Sequence, residues 1–227
     1  MKRAWIAILA VSSAANVIAA DENGTQRLKA SADVLQEVMG TPDKAIPSDL
    51  FHKAYCVVVI PSMKKAGFVF SAKYGRGYAS CRTESGTWSA PAAMRIEGGG
   101  FGLQAGGSAT DVVMLVMSKK GMNGILSSKF TLGGEAAAAA GPVGREATAQ
   151  TDATMHADIL SWSRSRGIFG GVSLQGATLR ADEEADSALY GQTVNSKDVL
   201  SGQVKDPAPD PFTSALTEYG GTQRTSS

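Results

Sequence analysis

Histidine and cysteine are nearly absent: the 227-residue chain has two of each, His52 and His156, Cys56 and Cys81. A nucleophilic thiol needs a base, so catalytic cysteine chemistry has almost nothing to draw on. Metal chemistry is poorly served as well. Asp152 and His156 stand four apart with Asp158 nearby, a spacing that could put two ligands on one helix face, but a site needs a third. A helix-start carboxylate and a surface histidine explain the pair. No Gly-Lys-Ser/Thr pair follows Gly134 or Gly141, which removes the mononucleotide loop. Gly100 to Ala105 fits the relaxed dinucleotide pattern, yet Gly106, Gly107 and an apolar β-like run follow where a helix is required. Gly171-Val172-Ser173-Leu174-Gln175 lacks the last glycine of a nucleophile elbow. No pair of carboxylates stands in the apolar surroundings a glycosidase needs. These gaps lead to the expectation of a protein that is not an enzyme, with no cofactor and no metal.

Long apolar runs are missing too. Lys2 and Arg3 precede an apolar stretch from Ala4 to Val11, then small residues up to Ala20, then Asp21 and Glu22. That layout reads as a cleaved secretory signal over residues 1–20, because a membrane span needs about 20 apolar residues. The expected location is periplasmic or secreted. Two cysteines in an oxidising compartment favour a bridge, and Cys56 and Cys81 both lie in strand-like runs, "AYCVVVIP" and "GYASCR". Two separately buried thiols are the alternative.

Net charge is also small, +1 for the whole chain and −1 once residues 1–20 are removed. Its distribution is uneven. From Lys53 to Arg145 the balance is +7, whereas Ala181 to Asp210 is acidic, with Asp182, Glu183, Glu184, Asp186, Asp198, Asp206 and Asp210. A nearly neutral protein can therefore carry a local positive field, provided the basic residues share a face; otherwise they are solvated turn residues.

What is abundant is glycine inside strand-like segments, notably 67–79, 99–111 and 167–179. Glycine in strands marks bends or close backbone approach. Leu28, Ala32, Leu35, Val38 and Met39 line one helix face, ended by Gly40 and Pro42. A short helix is expected at Ser48–His52. "YCVVVI" reads as a strand ending at Pro61, and "GFVFSAKYGRGYASCR" as a hairpin turning near Tyr74 to Gly77. "DVVMLVMS" reads as a strand buried on both faces, followed by a helix from Lys119. "ADEEADSALYG" reads as a helix capped by Gly191, and the chain from Asp206, over 206–227, as a flexible tail. Together these give an α+β, β-rich single domain over 21–205. Its sheet is strongly curved, glycine-rich and antiparallel, barrel-like or sandwich, with an N-terminal helix and a few peripheral helices.

The blocks "WSAPAAMRIEGGGFGLQAGG", "KFTLGGEAAAAAGPVGR" and "SWSRSRGIFGGVSLQGATL" resemble, in this order, the SYLF domain family of lipid-binding proteins, which includes yeast actin-binding and plant FYVE-associated members. The resemblance runs from about Leu35 to Leu200. It implies a binding module with affinity for phosphoinositides or other anionic lipids, and for actin in the yeast members. The basic segment that eukaryotic relatives carry before the domain is weak here, with only Arg27 and Lys29 beside Asp33 and Glu37. The expected lipid-binding residues are Lys64 and Lys65 in one turn, Lys73 and Arg76 flanking another, Lys119 and Lys120 opening a third, and Lys129. Phe51, Met63 or Met122 would add shallow apolar insertion. The expected partner is an anionic lipid or membrane surface. Alternatives are a protein partner in the envelope, or a lipid carried inside the curved sheet; nucleic acid is not expected.

Overall fold

The computed structural model describes residues 23–40, 46–67, 70–101, 106–143, 156–165, 168–206 and 209–221. The signal segment expected over 1–20, Asp152, and the ends of the chain before 23 and after 221 lie outside the described residues. No helix among the described residues is long and apolar enough to cross a membrane.

Helix α1 covers residues 23–39 and buries Leu28, Ala32, Leu35 and Val38, the stripe its spacing implies. A short α2 (Ser48–Lys53) leads into the sheet. The first four strands are long: β1 (Cys56–Gly67), β2 (Phe70–Cys81), β3 (Ala92–Phe101) and β4 (Gly106–Val116). Then come α3 (Lys119–Ile125), β5 (Lys129–Thr131), β6 (Ala138–Ala140), β7 (Ile159–Ser165), β8 (Ile168–Gly171) and β9 (Thr178–Ala181). Three helices follow, α4 (Glu183–Tyr190), α5 (Ser196–Leu200) and α6 (Pro211–Gly220). The nine strands form one curled sheet in the order β5-β9-β3-β2-β1-β4-β7-β6, with β8 on β7. All pairings between named strands are antiparallel except β6 with β7, which is parallel, so the sheet is mixed.

Successive side chains of a strand point to opposite faces, and here both faces are filled. Cys56, Val58 and Ile60 join Met94, Met114, Ile125, Leu179 and Leu200 on one face. Val57 and Val59 join Leu35, Phe51, Leu115, Trp162 and Phe212 on the other. That is why "YCVVVI" and "DVVMLV" are unbroken apolar runs. Cys56 and Cys81 are cross-strand partners and are bonded.

Two expectations need correction. The strand does not end at Pro61: β1 continues to Gly67, with a register shift between Ile60 and Met63. Pro61 has no N–H to give the ladder, so a bulge is where a central strand tolerates it. Ser62 sits there at φ 49°, its N–H held by Asp111 Oδ1 at 2.9 Å. Nor does the chain turn at Tyr74 to Gly77; β2 is continuous. Its glycines are there because β1 presses on them: a Cβ on Gly77 would lie 1.9 Å from the Val59 carbonyl oxygen, and one on Gly75 2.5 Å from Ile60.

The tail is the third correction. Asp210 caps α6 by accepting the N–H groups of Phe212 and Thr213 at 2.7 and 2.9 Å, and Phe212 and Leu216 are fully buried. Arg82 donates to the last carbonyls, Gly220 O at 2.6 Å and Gly221 O, while stacking over Trp88 at 3.8 Å. Cationic donors at a helix C-terminus satisfy orphan carbonyls and the dipole together. Residues 209–221 are therefore part of the packed fold.

Candidate functional site

Beyond the bulge, β1 changes from five consecutive buried residues to a mostly exposed strand. The far halves of β1 to β4 form an arm whose register brings basic residues together. Lys65 pairs with Lys73, and Lys64 pairs with Tyr74 on one side and Ala109 on the other. Cross-strand partners share a face, so Lys65 and Lys73 lie on one face of the arm and Lys64 on the other. These lysines are in strands rather than turns. The described residues have two large exposed apolar side chains, Tyr74 at 47% and Ile168 at 76%, and both lie at this end. Tyr74 faces Lys64, and Ile168 pairs with Ser165, whose hydroxyl donates to Ala109 O at 3.4 Å.

The base of the arm is clamped by charge. Arg164 on β7 binds Asp111 Oδ2 at 2.9 Å and also Glu37 of α1. Asp111 thereby joins the bulge, β7 and the helix layer.

Arg76 and Lys129 belong to a second group. Arg76 pairs with Arg95, Arg95 with Arg180, and Arg180 with Lys129. This row crosses β2, β3, β9 and β5 on one face, a span of roughly 14 Å at ordinary strand spacing. Arg76 Nε binds Asp182 Oδ2 at 2.6 Å, and that hydrogen bond raises the guanidinium pKa. Arg95 Nε lies 3.2 Å from Glu97 Oε1. Beside the row an open groove of about 470 Å³ is lined by Arg95, Lys129 and Arg180 together with Asp182, Glu183 and Glu184. Helix α4 is fixed there by Asp186, which accepts the Ala93 N–H and the Ser196 hydroxyl, both at 2.5 Å. Burial pushes the Asp186 carboxyl up to about 6.

Lys119 and Lys120 join neither group. They start α3, after Val116, whereas Lys64 lies beside Ala109; the run from Ala109 to Val116 alone is roughly 23 Å of extended chain. Lys120 Nζ is 3.8 Å from Asp158. Asp158 also takes the Ser118 hydroxyl and the Ala137 N–H, so it ties α3 to the β6–β7 region. His52 Nδ1 meets Gly220 O at 2.9 Å, another contact holding α6. Phe51 is fully buried and Met63 is 6% exposed, so neither can insert into a lipid surface; Met122 is half-buried against the core. The structure adds Arg95, Arg180, Tyr74 and Ile168. Reading β2 as a hairpin hid the register that aligns Arg76 with Arg95.

Residues 97–219 match the family described as "Ysc84: Las17-binding protein actin regulator". The chain is 40% identical over 168 residues to an SH3 domain-containing protein of Schizosaccharomyces pombe, covering 73% of this chain and 39% of that one. It is 37% identical to Protein YSC84 of Saccharomyces cerevisiae, over 75% of this chain and 37% of the relative. To the human SH3 domain-containing YSC84-like protein 1 it is 34% identical, over 74% of this chain and 49% of the relative. The chain thus spans half or less of the length of these relatives. The order of blocks in the sequence, the curled sheet and these matches place the chain in the Ysc84, or SYLF, family.

Proposed function

We propose that this chain is a non-enzymatic binding module of the cell envelope, exported through its N-terminal signal, which docks on anionic phospholipid surfaces through the β1–β4 arm. The observation that carries the reading is the coincidence, at one end of the sheet, of Lys64, Lys65 and Lys73 with the exposed Tyr74 and Ile168. A basic residue near an anionic membrane contributes about 1 kcal/mol, so Lys65 and Lys73, which share a face, give roughly 2 kcal/mol. Apolar side chains entering the interface supplement this. Lys119 and Lys120 lie past the Val116 end of β4, away from the arm, and Arg76 is held by Asp182.

The test is co-sedimentation of the purified protein with phosphatidylglycerol and phosphatidylcholine vesicles at low and moderate salt. The expected result is pelleting with the anionic vesicles only, weakened by salt and lost in Lys64→Glu/Lys65→Glu/Lys73→Glu. The absence of pelleting under every condition overturns lipid docking. The Las17-binding description of the family favours a second reading, in which the same arm holds an acidic protein surface. Salt-sensitive capture of a protein by the arm, without vesicle binding, selects that reading.

A further inference from the structure

We infer that the groove between the Arg95–Arg180–Lys129 row and the first turn of α4 is a binding site for a compact phosphomonoester, distinct from the docking arm. Strand register makes the three cations direct neighbours. Like charges directly opposite on a sheet are destabilising, and a dianion seated among them converts that repulsion into attraction.

The partners already present leave these groups available. Arg76, the fourth member of the row, is engaged by Asp182. Arg95 Nε is buried and makes no hydrogen bond, its one charged contact being the ion pair with Glu97 Oε1 at 3.2 Å. The side chains of Arg180 and Lys129 hold no hydrogen bond or ion pair among the described residues. A buried donor without an acceptor is costly, and phosphate oxygens are the acceptors that a guanidinium fork fits in pairs. Lysine adds a point charge at the open end.

Size and the acidic part of the lining narrow the ligand. A groove of about 470 Å³ is in the range of small-molecule sites. Its lining also carries Asp182, Glu183 and Glu184, which repel an extended polyanion lying along the row. Rejection by misplaced like charge is a source of specificity. The same carboxylates can accept hydrogen bonds from hydroxyl or ammonium groups of a small ligand. The phosphomonoester can therefore come free from solvent, as in glycerol 3-phosphate, or as the headgroup of a phosphatidate lipid.

The experiment is isothermal titration and thermal shift of the purified protein with inorganic phosphate and with glycerol 3-phosphate, against sodium chloride of equal ionic strength. It is joined by pelleting with phosphatidate against phosphatidylglycerol vesicles. Saturable binding of a soluble probe, with a raised Tm, is expected. It should weaken about tenfold or more in Arg95→Gln or Arg180→Gln, as loss of a charged hydrogen bond requires, and less in Arg180→Lys. Lys129 is exposed, so Lys129→Gln keeps the fold and should weaken binding several-fold. Soluble binding with equal pelleting by the two vesicles assigns the free ligand, and a phosphatidate preference that disappears in Arg180→Gln assigns the lipid. Binding of neither soluble probe together with no phosphatidate preference overturns the site, as does binding undiminished in Arg95→Gln, Arg180→Gln and Lys129→Gln.

Discussion

The two halves of β1 are one strand in hydrogen bonding and two regions in chemistry. From Cys56 to Ile60 every side chain is fully buried; from Ser62 to Gly67 only Met63 is buried. The division falls at the bulge of Pro61 and Ser62, fixed by Asp111. On one side the strand is covered on both faces and stability depends on packing. On the other the strand is more exposed, with Ser62, Lys64 and Ala66 open to solvent. A sheet can thus be core and contact surface along the same strands.

The sharpest way to break the comparison is to damage the covered half alone. Trp162 is fully buried, and its Nε1 donates to Pro142 O at 2.9 Å. Trp162→Ala should cost about 3 to 5 kcal/mol, the range for large core truncations, measured by urea unfolding. Next is the Cys56–Cys81 bond, with a sequence separation of 25. By the loop-entropy relation the double alanine variant should lose roughly 3 kcal/mol. A loss under about 1 kcal/mol would mean that the reduced, unfolded chain is already restricted there.

Much of the covered half was legible in the sequence because its signals are local. The α1 stripe and the runs around Val58 and Met114 are each readable within a dozen residues, and the cysteine pair is legible because the chain has only two. Gly75 and Gly77 misled because glycine beside Tyr74 and Arg76 carries the composition of a turn, while its cause is the pressure of Val59 and Ile60 from a neighbouring strand. The "DPAPDPF" run read as a tail because its prolines outweighed a helix start hidden among them, Asp210 as N-cap and Pro211 at the first position. The row of Arg76, Arg95, Arg180 and Lys129 was illegible for another reason. It depends on β9 and β5 joining the sheet beside β3, a pairing between distant segments. Lys64, Lys65 and Lys73 were singled out because the density of basic residues is visible in the sequence, whereas their separation from Lys119 and Lys120 needed the strand direction.

A smaller effect comes from Asp186, whose carboxyl is raised to about 6 from an ordinary 3.8 by burial. A raised carboxyl binds its proton more tightly folded than unfolded. Between the two values the folded state holds more protons, so stability falls as pH rises. Acidifying from pH 7 to 5 should therefore add about 1 kcal/mol from this group. Other carboxylates contribute to the whole curve, so the quantity to compare is wild type minus Asp186→Asn by urea unfolding at each pH. A difference that stays flat from pH 7 to 5 would remove the buried carboxylate as the cause.

The smallest stability effect belongs to the exposed half. Lys64→Glu/Lys65→Glu/Lys73→Glu alters strand positions where Lys65 and Lys73 already face each other with like charge, and reversing all three preserves that repulsion with opposite sign. Surface changes of this kind fall within about 0.5 kcal/mol per site, so the urea midpoint should hardly move while adsorption to anionic vesicles disappears. That combination is what separates a contact surface from a structural one. If the variant instead unfolds as readily as Trp162→Ala, the far halves of the strands are part of the core energetics, and the division at Pro61 and Ser62 is geometric only.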